Sequence, residues 1–322
     1  MTGEGAKGLA MGTCVAKGSA PDPNRDCNGA VDPGRKALPP AVQRALAKVT
    51  EIGTLPEVTA RVLRAIEEPS ATPKTVRQAV QHDPALTTKI LKLVNSAFYG
   101  LPAQVANLER AIIMLGLSAV RNLALAASLS RLFKNERICE QFTTADLWRH
   151  CVAVGVCSQA LARKGRCVPG DEAFVAGLVH DMGLIVAQQT FREQVAAVTQ
   201  RCVAEPQNYC AAEEAAYGAD HQALGGALAT KWKFPPGVCH AVAYHHDPSA
   251  LQPDLQTMAA LVYLADTLCC QGQHGFWLTA AAQELSERLM ELTAVTAADL
   301  EQAAADLPAR LAEAEKIFTV EG

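Results

Sequence analysis

The sequence predicts an all-α protein. Three observations carry this. Apolar residues recur at helical spacing from residue 39 onward, caps and prolines stand where helices would begin, and no stretch sustains the period-two alternation of a half-buried strand. With 322 residues, 49% of them hydrophobic and 19% charged, the chain can bury a large core, as one large or two medium domains.

Residues 1–37 are rich in Gly, Pro, Asp and Asn and have no apolar period, so a disordered tail is expected. Residues 39–50 and 56–67 carry apolar residues at helical spacing. Thr72-Pro73 is a cap followed by proline at the first helical position, and Asp83-Pro84 repeats that signal for a helix ending near Ser96. Residues 98–102 read as a turn, 108–115 as a short helix stopped by Gly116, and 118–134 as a longer helix capped by Ser118. The charged connection 131–142 places a domain boundary, giving a helical lobe at 38–138 and a second helical unit at 139–322. There, Thr143 and Asp146 have capping-box spacing ahead of a helix through Trp148 and His150. Helices are then expected at 172–189, 191–204, 220–232, 236–245, 253–270 and 280–292, and Thr296 caps a last amphipathic helix reaching Phe318.

Composition narrows the function. A net charge of −4 and a pI near 6.1 supply no basic footprint for nucleic acid or an anionic membrane. No apolar run reaches the roughly 18 residues of a membrane span, and residues 1–18 lack the basic start and apolar centre of a signal peptide. A cytoplasmic protein is expected. The cysteines number 11, an odd count, and stand without any C-x-x-C spacing, so reduced thiols serving as small core residues are expected.

The chemistry centres on residues 174–188, FVAGLVHDMGLIVAQ, where every face of a helical wheel is apolar or small, yet His180 and Asp181 stand side by side. A buried carboxylate needs a cation. No Arg or Lys lies between Arg166 and Arg192, so the partner comes from elsewhere in the chain, Arg121 or Arg149 for example, or from solution as a metal. Ala173, Ala176 and Gly177 are small enough to admit a second helix. Asp266 repeats the puzzle in the apolar stretch MAALVYLADTLCC. His150 lies four residues after Asp146, on the same helical face. His221 opens one helix and His245-His246 ends another. Imidazole and carboxylate are ligands for Zn, Mn, Fe or Ni, and helices each contributing one or two could enclose one or two ions. Plainer roles stand beside these: Asp146 as a capping-box partner, His221 as a first-turn residue behind Asp220, and His245-His246 as a helix end.

The order His150, His180-Asp181, Asp266 resembles the H…HD…D signature of the HD superfamily, helical metal-dependent phosphohydrolases. Asp83-Pro84-Ala85-Leu86, Asn95-Ser96-Ala97-Phe98-Tyr99-Gly100, AIIMLG at 111–116, Asp220-His221, Trp232, Pro235 and His245-His246-Asp247-Pro248 sharpen this to the HDOD domain, an HD-related output domain of bacterial signalling proteins. The resemblance implies two helical lobes, the second HD-like. It further implies His150, His180, Asp181 and Asp266 as ligands of a divalent Fe, Mn or Zn, with His221, His245 and His246 as second-site ligands; Asp146, on the helical face of His150, is a further candidate by its position alone. The chain departs from the related HD-GYP phosphodiesterases at one informative position: their H-D-x-G-K motif reads here His180-Asp181-Met182-Gly183-Leu184. Leucine cannot hold a phosphate or stabilise developing charge. The G-Y-P signature is likewise replaced by Asp247-Pro248-Ser249. A non-catalytic signalling or regulatory module with a protein partner is therefore the first expectation. The alternative is a metal-dependent phosphohydrolase acting on nucleotides or cyclic dinucleotides, in which the metal would activate water.

Overall fold

A computed structural model describes residues 135–318 continuously. Before them it describes 39–40, 42–43, 46–47, 64–65, 68, 71–80, 84–95, 104–117, 119–120, 124, 129 and 132–133. Among the described residues the regular structure is helical, and the single β-type pairing is an isolated bridge between Arg137 and Thr143. The α-helices are α1 (Pro73–Val80), α2 (Pro84–Val94), α3 (Leu108–Leu115), α4 (Thr144–Gly165), α5 (Gly170–Val179), α6 (Met182–Thr190), α7 (Arg192–Ala204), α8 (Tyr209–Tyr217), α9 (His221–Lys231), α10 (Pro236–Tyr244), α11 (Gln256–Gln271), α12 (Glu287–Thr293) and α13 (Ala297–Phe318).

Among the described residues, the signals expected at Thr72, Gly116, Thr143 and Thr296 act as predicted. Thr72 and Thr75 bond reciprocally at the head of α1, Asn107 caps α3, and Gly116 ends it with φ +86°. Thr143 and Asp146 form the full capping box of α4, and Thr296 with Asp299 repeats it for α13. The described cysteines are free thiols and most are buried. The tail at 1–37 and the turn at 98–102 lie outside the described residues, and the helices expected at 39–50, 56–67 and 118–134 are described only in part.

α4 is the centre of the second half. Its inner face is apolar along most of its length, and it packs against α5, α11 and α13. α13 is pinned there by the Trp148 indole, which donates to the Phe318 carbonyl at 2.8 Å, and by Phe174 stacked on Phe318. Close approach of α4 and α5 depends on missing side chains: a Cβ on Gly177 would lie 2.7 Å from the Ser158 hydroxyl and the Val154 carbonyl, and one on Gly155 would lie 2.9 Å from the Phe174 carbonyl. The small face expected one turn before His180 is thus a helix contact. α9 then packs on α6 and α10, and α10 on α5 and α11.

Three expectations are corrected. The helix expected at 172–189 is two helices, α5 and α6, broken at His180-Asp181, where Asp181 takes φ −96° and ψ 13°. The apolar pattern runs through the break without a signal, because both helices are buried on all sides. The helix expected at 280–292 starts only at Glu287 behind a Ser286 cap; Ala280–Glu284 instead follow tertiary bonds, Tyr263 Oη to the Glu284 carbonyl and Gln283 to His246. Finally, α8 was not expected at all, although Asn208 caps it and Gly218 stops it at φ +87°.

Candidate metal centre

Five places on the fold converge on one point: α4 supplies His150, the α5–α6 break His180 and Asp181, the first residue of α9 His221, the end of α10 His245 and His246, and α11 Asp266. His150, His180, Asp181, His221, His245 and Asp266 are all 0% exposed, and the His246 side chain is 10% exposed.

Asp181 sits at the N-cap position of α6, where an aspartate ordinarily accepts a backbone N–H. Its side chain makes no such bond. Instead its Oδ2 lies 3.3 Å from His180 Nε2 and 3.8 Å from His150 Nε2, while Oδ1 lies 3.2 Å from His221 Nε2 and 3.4 Å from His245 Nε2. Asp266 Oδ1 lies 3.0 Å from His150 Nε2 and 3.7 Å from His180 Nε2. His246 Nε2 stands 3.0 Å from His221 Nε2. Two groups of ligand atoms therefore share Asp181. One is His150, His180, Asp181 Oδ2 and Asp266; the other is Asp181 Oδ1, His221, His245 and His246.

The outer ring nitrogens decide what the inner ones are. His150 Nδ1 is 3.1 Å from the His274 carbonyl, His180 Nδ1 2.7 Å from the Gly177 carbonyl, and His245 Nδ1 3.1 Å from the Val242 carbonyl. His246 Nδ1 meets Gln283 Oε1 at 3.0 Å, and His221 Nδ1 meets Glu213 Oε2 at 2.5 Å. A carbonyl only accepts, so each Nδ1 donates; in a neutral ring that leaves Nε2 with a bare lone pair. Five such lone pairs and two carboxylates then face one another. Among the described residues, His180 Nε2, both Asp181 oxygens and Asp266 Oδ2 have no hydrogen-bond partner. Such a cluster of facing acceptors calls for positive charge or for donors, and the donor set fits Zn, Mn or Fe.

Arginine does not fill it. Arg149 points outward to Glu315 at 2.8 Å, and no described Lys or Arg pairs with Asp181 or Asp266; Arg121 lies outside the described residues. Asp146 is the capping-box partner, its Oδ2 accepting from the Thr143 amide at 2.8 Å, and its carboxylate belongs to neither ligand group. His240, buried on α10, also lies outside both groups.

Charge is shifted accordingly. Burial pulls His180 down, but Asp181 outweighs it and holds the ring above the usual histidine range. For His221, burial is likewise overcome, chiefly by Glu213. Burial would raise Asp181, yet His180 and His221 keep it well below the carboxylate range. His246 is pushed down to about 3 by burial and by His245 and His221, and burial also lowers His245. In metal-free protein, raised histidines keep protons that the unfolded chain releases near pH 6.5. Their stabilisation is present below that pH and lost as pH rises through their folded values. Metal binding runs the other way, since it needs neutral rings. Metal-free protein should therefore melt earlier at pH 8.5 than at pH 6.5, and the gap between metal-loaded and metal-free melting should widen over that interval. Parallel melting curves across those pH values would refute the assignment.

Two supporting residues escaped the sequence reading. Glu213, 0% exposed, holds His221, and Gln283 holds His246. The Asn208 cap and Gly218 stop around Glu213 were available as signals; Gln283 carried none, because it sits in a stretch whose alanines read as helix.

A protein-family model described as the HDOD domain matches residues 52–248. The chain is 25% identical over 221 residues to an uncharacterized protein of Treponema pallidum (strain Nichols), a match covering 66% of this chain and 42% of that relative, so less than half of the relative's length is spanned. Among solved structures, an HDOD domain protein of unknown function from Geobacter sulfurreducens superposes with a TM-score of 0.66 at 23% identity, over 86% of this chain and 99% of that one. A candidate phosphohydrolase from Shewanella amazonensis SB2B superposes with a TM-score of 0.65 at 23% identity, over 87% and 98% of the two chains. At such identities these structures speak for the fold. The family match covers more than half of the sequence, and the chain belongs to the HDOD domain family.

Proposed function

We propose that this protein is a non-catalytic signalling module that holds a divalent metal in its second half and acts by contact with a protein partner through the lobe at 38–138. The observation that carries the reading is closure of the centre. Hydrolytic metal sites keep one coordination position open to water and substrate, whereas structural sites are closed. Here the ligands are buried and His246, at 10% side-chain exposure, alone among them reaches the surface. Neither the apolar cavity lined by Phe133, Leu178, Met182 and Trp232 nor the groove lined by Arg137, Glu140, Arg192 and Gln200 includes a residue of the centre. Leu184, which stands where the HD-GYP enzymes have lysine, is itself 2% exposed.

The residues that would hold metal are His150, His180, Asp181 and Asp266 in one group, and Asp181, His221, His245 and His246 in the other. A bound metal would supply positive charge that neutralises both carboxylates and, were a substrate admitted, would polarise a phosphoryl oxygen. The phosphohydrolase reading is favoured by that same donor set, so turnover is the deciding experiment. Metal-loaded protein is expected to hydrolyse neither cyclic di-GMP nor bis(p-nitrophenyl) phosphate above a His180→Ala, Asp181→Ala control. Steady turnover that the double substitution abolishes would establish the hydrolase instead.

A further inference from the structure

The five histidines of the centre are not held alike. Three give their outer N–H to backbone carbonyls and His246 gives its own to an amide oxygen, all neutral acceptors. His221 alone gives its N–H to a carboxylate, that of Glu213.

Glu213 is built in for this contact. α8 and α9 are separated by Gly218, Ala219 and Asp220, and the left-handed φ of Gly218 turns the chain so that residues eight apart face each other. Glu213 Oε2 accepts from the His221 backbone N–H at 3.0 Å as well as facing Nδ1, so one oxygen grips both ends of the residue. Its other oxygen accepts from Tyr217 Oη, one helical turn on. Tyr217 is in turn stacked on Phe191, with ring centroids 5.0 Å apart and planes 12° from parallel. The carboxylate thus has little freedom to rotate, and neither does the imidazole that it holds. His221 Nε2 is aimed at Asp181 Oδ1, His245 Nε2 and His246 Nε2, the atoms of the second ligand group.

We propose that Glu213 is a positioning residue that makes the two metal sites unequal. Its charge raises the donor strength of His221 and so tightens the second site, formed by Asp181, His221, His245 and His246, while making no direct contact with His150, His180 or Asp266 of the first. The inference rests on the metal-binding reading above. Outer partners of metal-bound histidines typically contribute about 10- to 100-fold in affinity, and a negative partner polarises the ring more than a carbonyl does.

The test is titration of the full chain with Co2+ against a competing chelator, followed by its visible absorption. Wild type should take two equivalents. Glu213→Gln keeps the size and an acceptor oxygen but removes the charge; it should weaken the second equivalent about 10- to 100-fold and hold the first within about twofold. A general loosening of the fold would weaken both together, so the first equivalent is the internal control. Should Glu213→Gln fail to fold, Tyr217→Phe removes only the outer anchor and should weaken the second equivalent severalfold, again selectively. A wild type that takes a single equivalent, a variant that fills both sites at wild-type affinity, or an equal loss at both sites would overturn the inference while leaving metal binding in place. A wild type that takes no Co2+ would instead remove the reading beneath it.

Discussion

Chelation is expected to lower the melting temperature of this protein by about 10 °C. With no metal between them, Asp181 and Asp266, both 0% exposed, face histidine rings of which only some carry a proton. An uncompensated buried charge costs about 3–5 kcal/mol, and in a unit the size of residues 135–318 each kcal/mol moves the midpoint by about 2–4 °C. Protons on His180 and His221 offset part of that loss, so the effect should be larger at pH 8.5 than at pH 6.5. Readdition of Zn, Mn or Fe should restore the midpoint by mass action. The claim is lost if protein purified without metal cannot be loaded with any of the three and melts identically with and without chelator.

A large effect of a single substitution is expected from Gly183→Ala. A Cβ there would fall on the carbonyl oxygen of His221 and lie 2.8 Å from the Gly225 amide nitrogen, and both are backbone atoms that no side-chain rotation can move. α6 and α9 would have to part, and with them Asp181 and His221. Overpacking of this kind costs about 1–3 kcal/mol, and more when backbone must shift, so a loss of about 3 kcal/mol together with depleted metal content is expected. Gly237→Ala is the control: among the described residues, and outside its own helix, its Cβ would meet Met258 Cε alone, at 4.0 Å. Calorimetry and elemental analysis of the two variants side by side would decide the matter, and a Gly183→Ala protein with wild-type melting and metal content would show that the close approach is not needed.

Some of the centre could be read from residues alone, because an ionisable group in an apolar stretch is visible without coordinates. His180, Asp181 and Asp266 stand out in that way, and all three lie in the centre. Asp146 could not be separated from them by spacing, since a position on the face of His150 suits a ligand and a capping partner equally; the structure places its Oδ2 on the Thr143 amide. Glu213 hid for the opposite reason. Beside Glu214 in an alanine-rich stretch it looks like one of a solvated pair, and only the turn at Gly218 brings it to His221.

Helical periodicity, caps and stops act over four or five residues, so the sequence by itself determined the helical class, most helix starts and the types of ligand available. The break at His180-Asp181 was decided by tertiary structure. Asp181 gives up its cap to meet histidines from α4, α9 and α10, and an energy gained across 30 to 65 residues of chain leaves no mark on the local pattern. Nor does the local pattern show which lone pairs face inward. That depends on acceptors brought from distant turns, the His274 carbonyl 124 residues from His150 among them, because a proton on one ring nitrogen is placed by whatever the fold sets beside it.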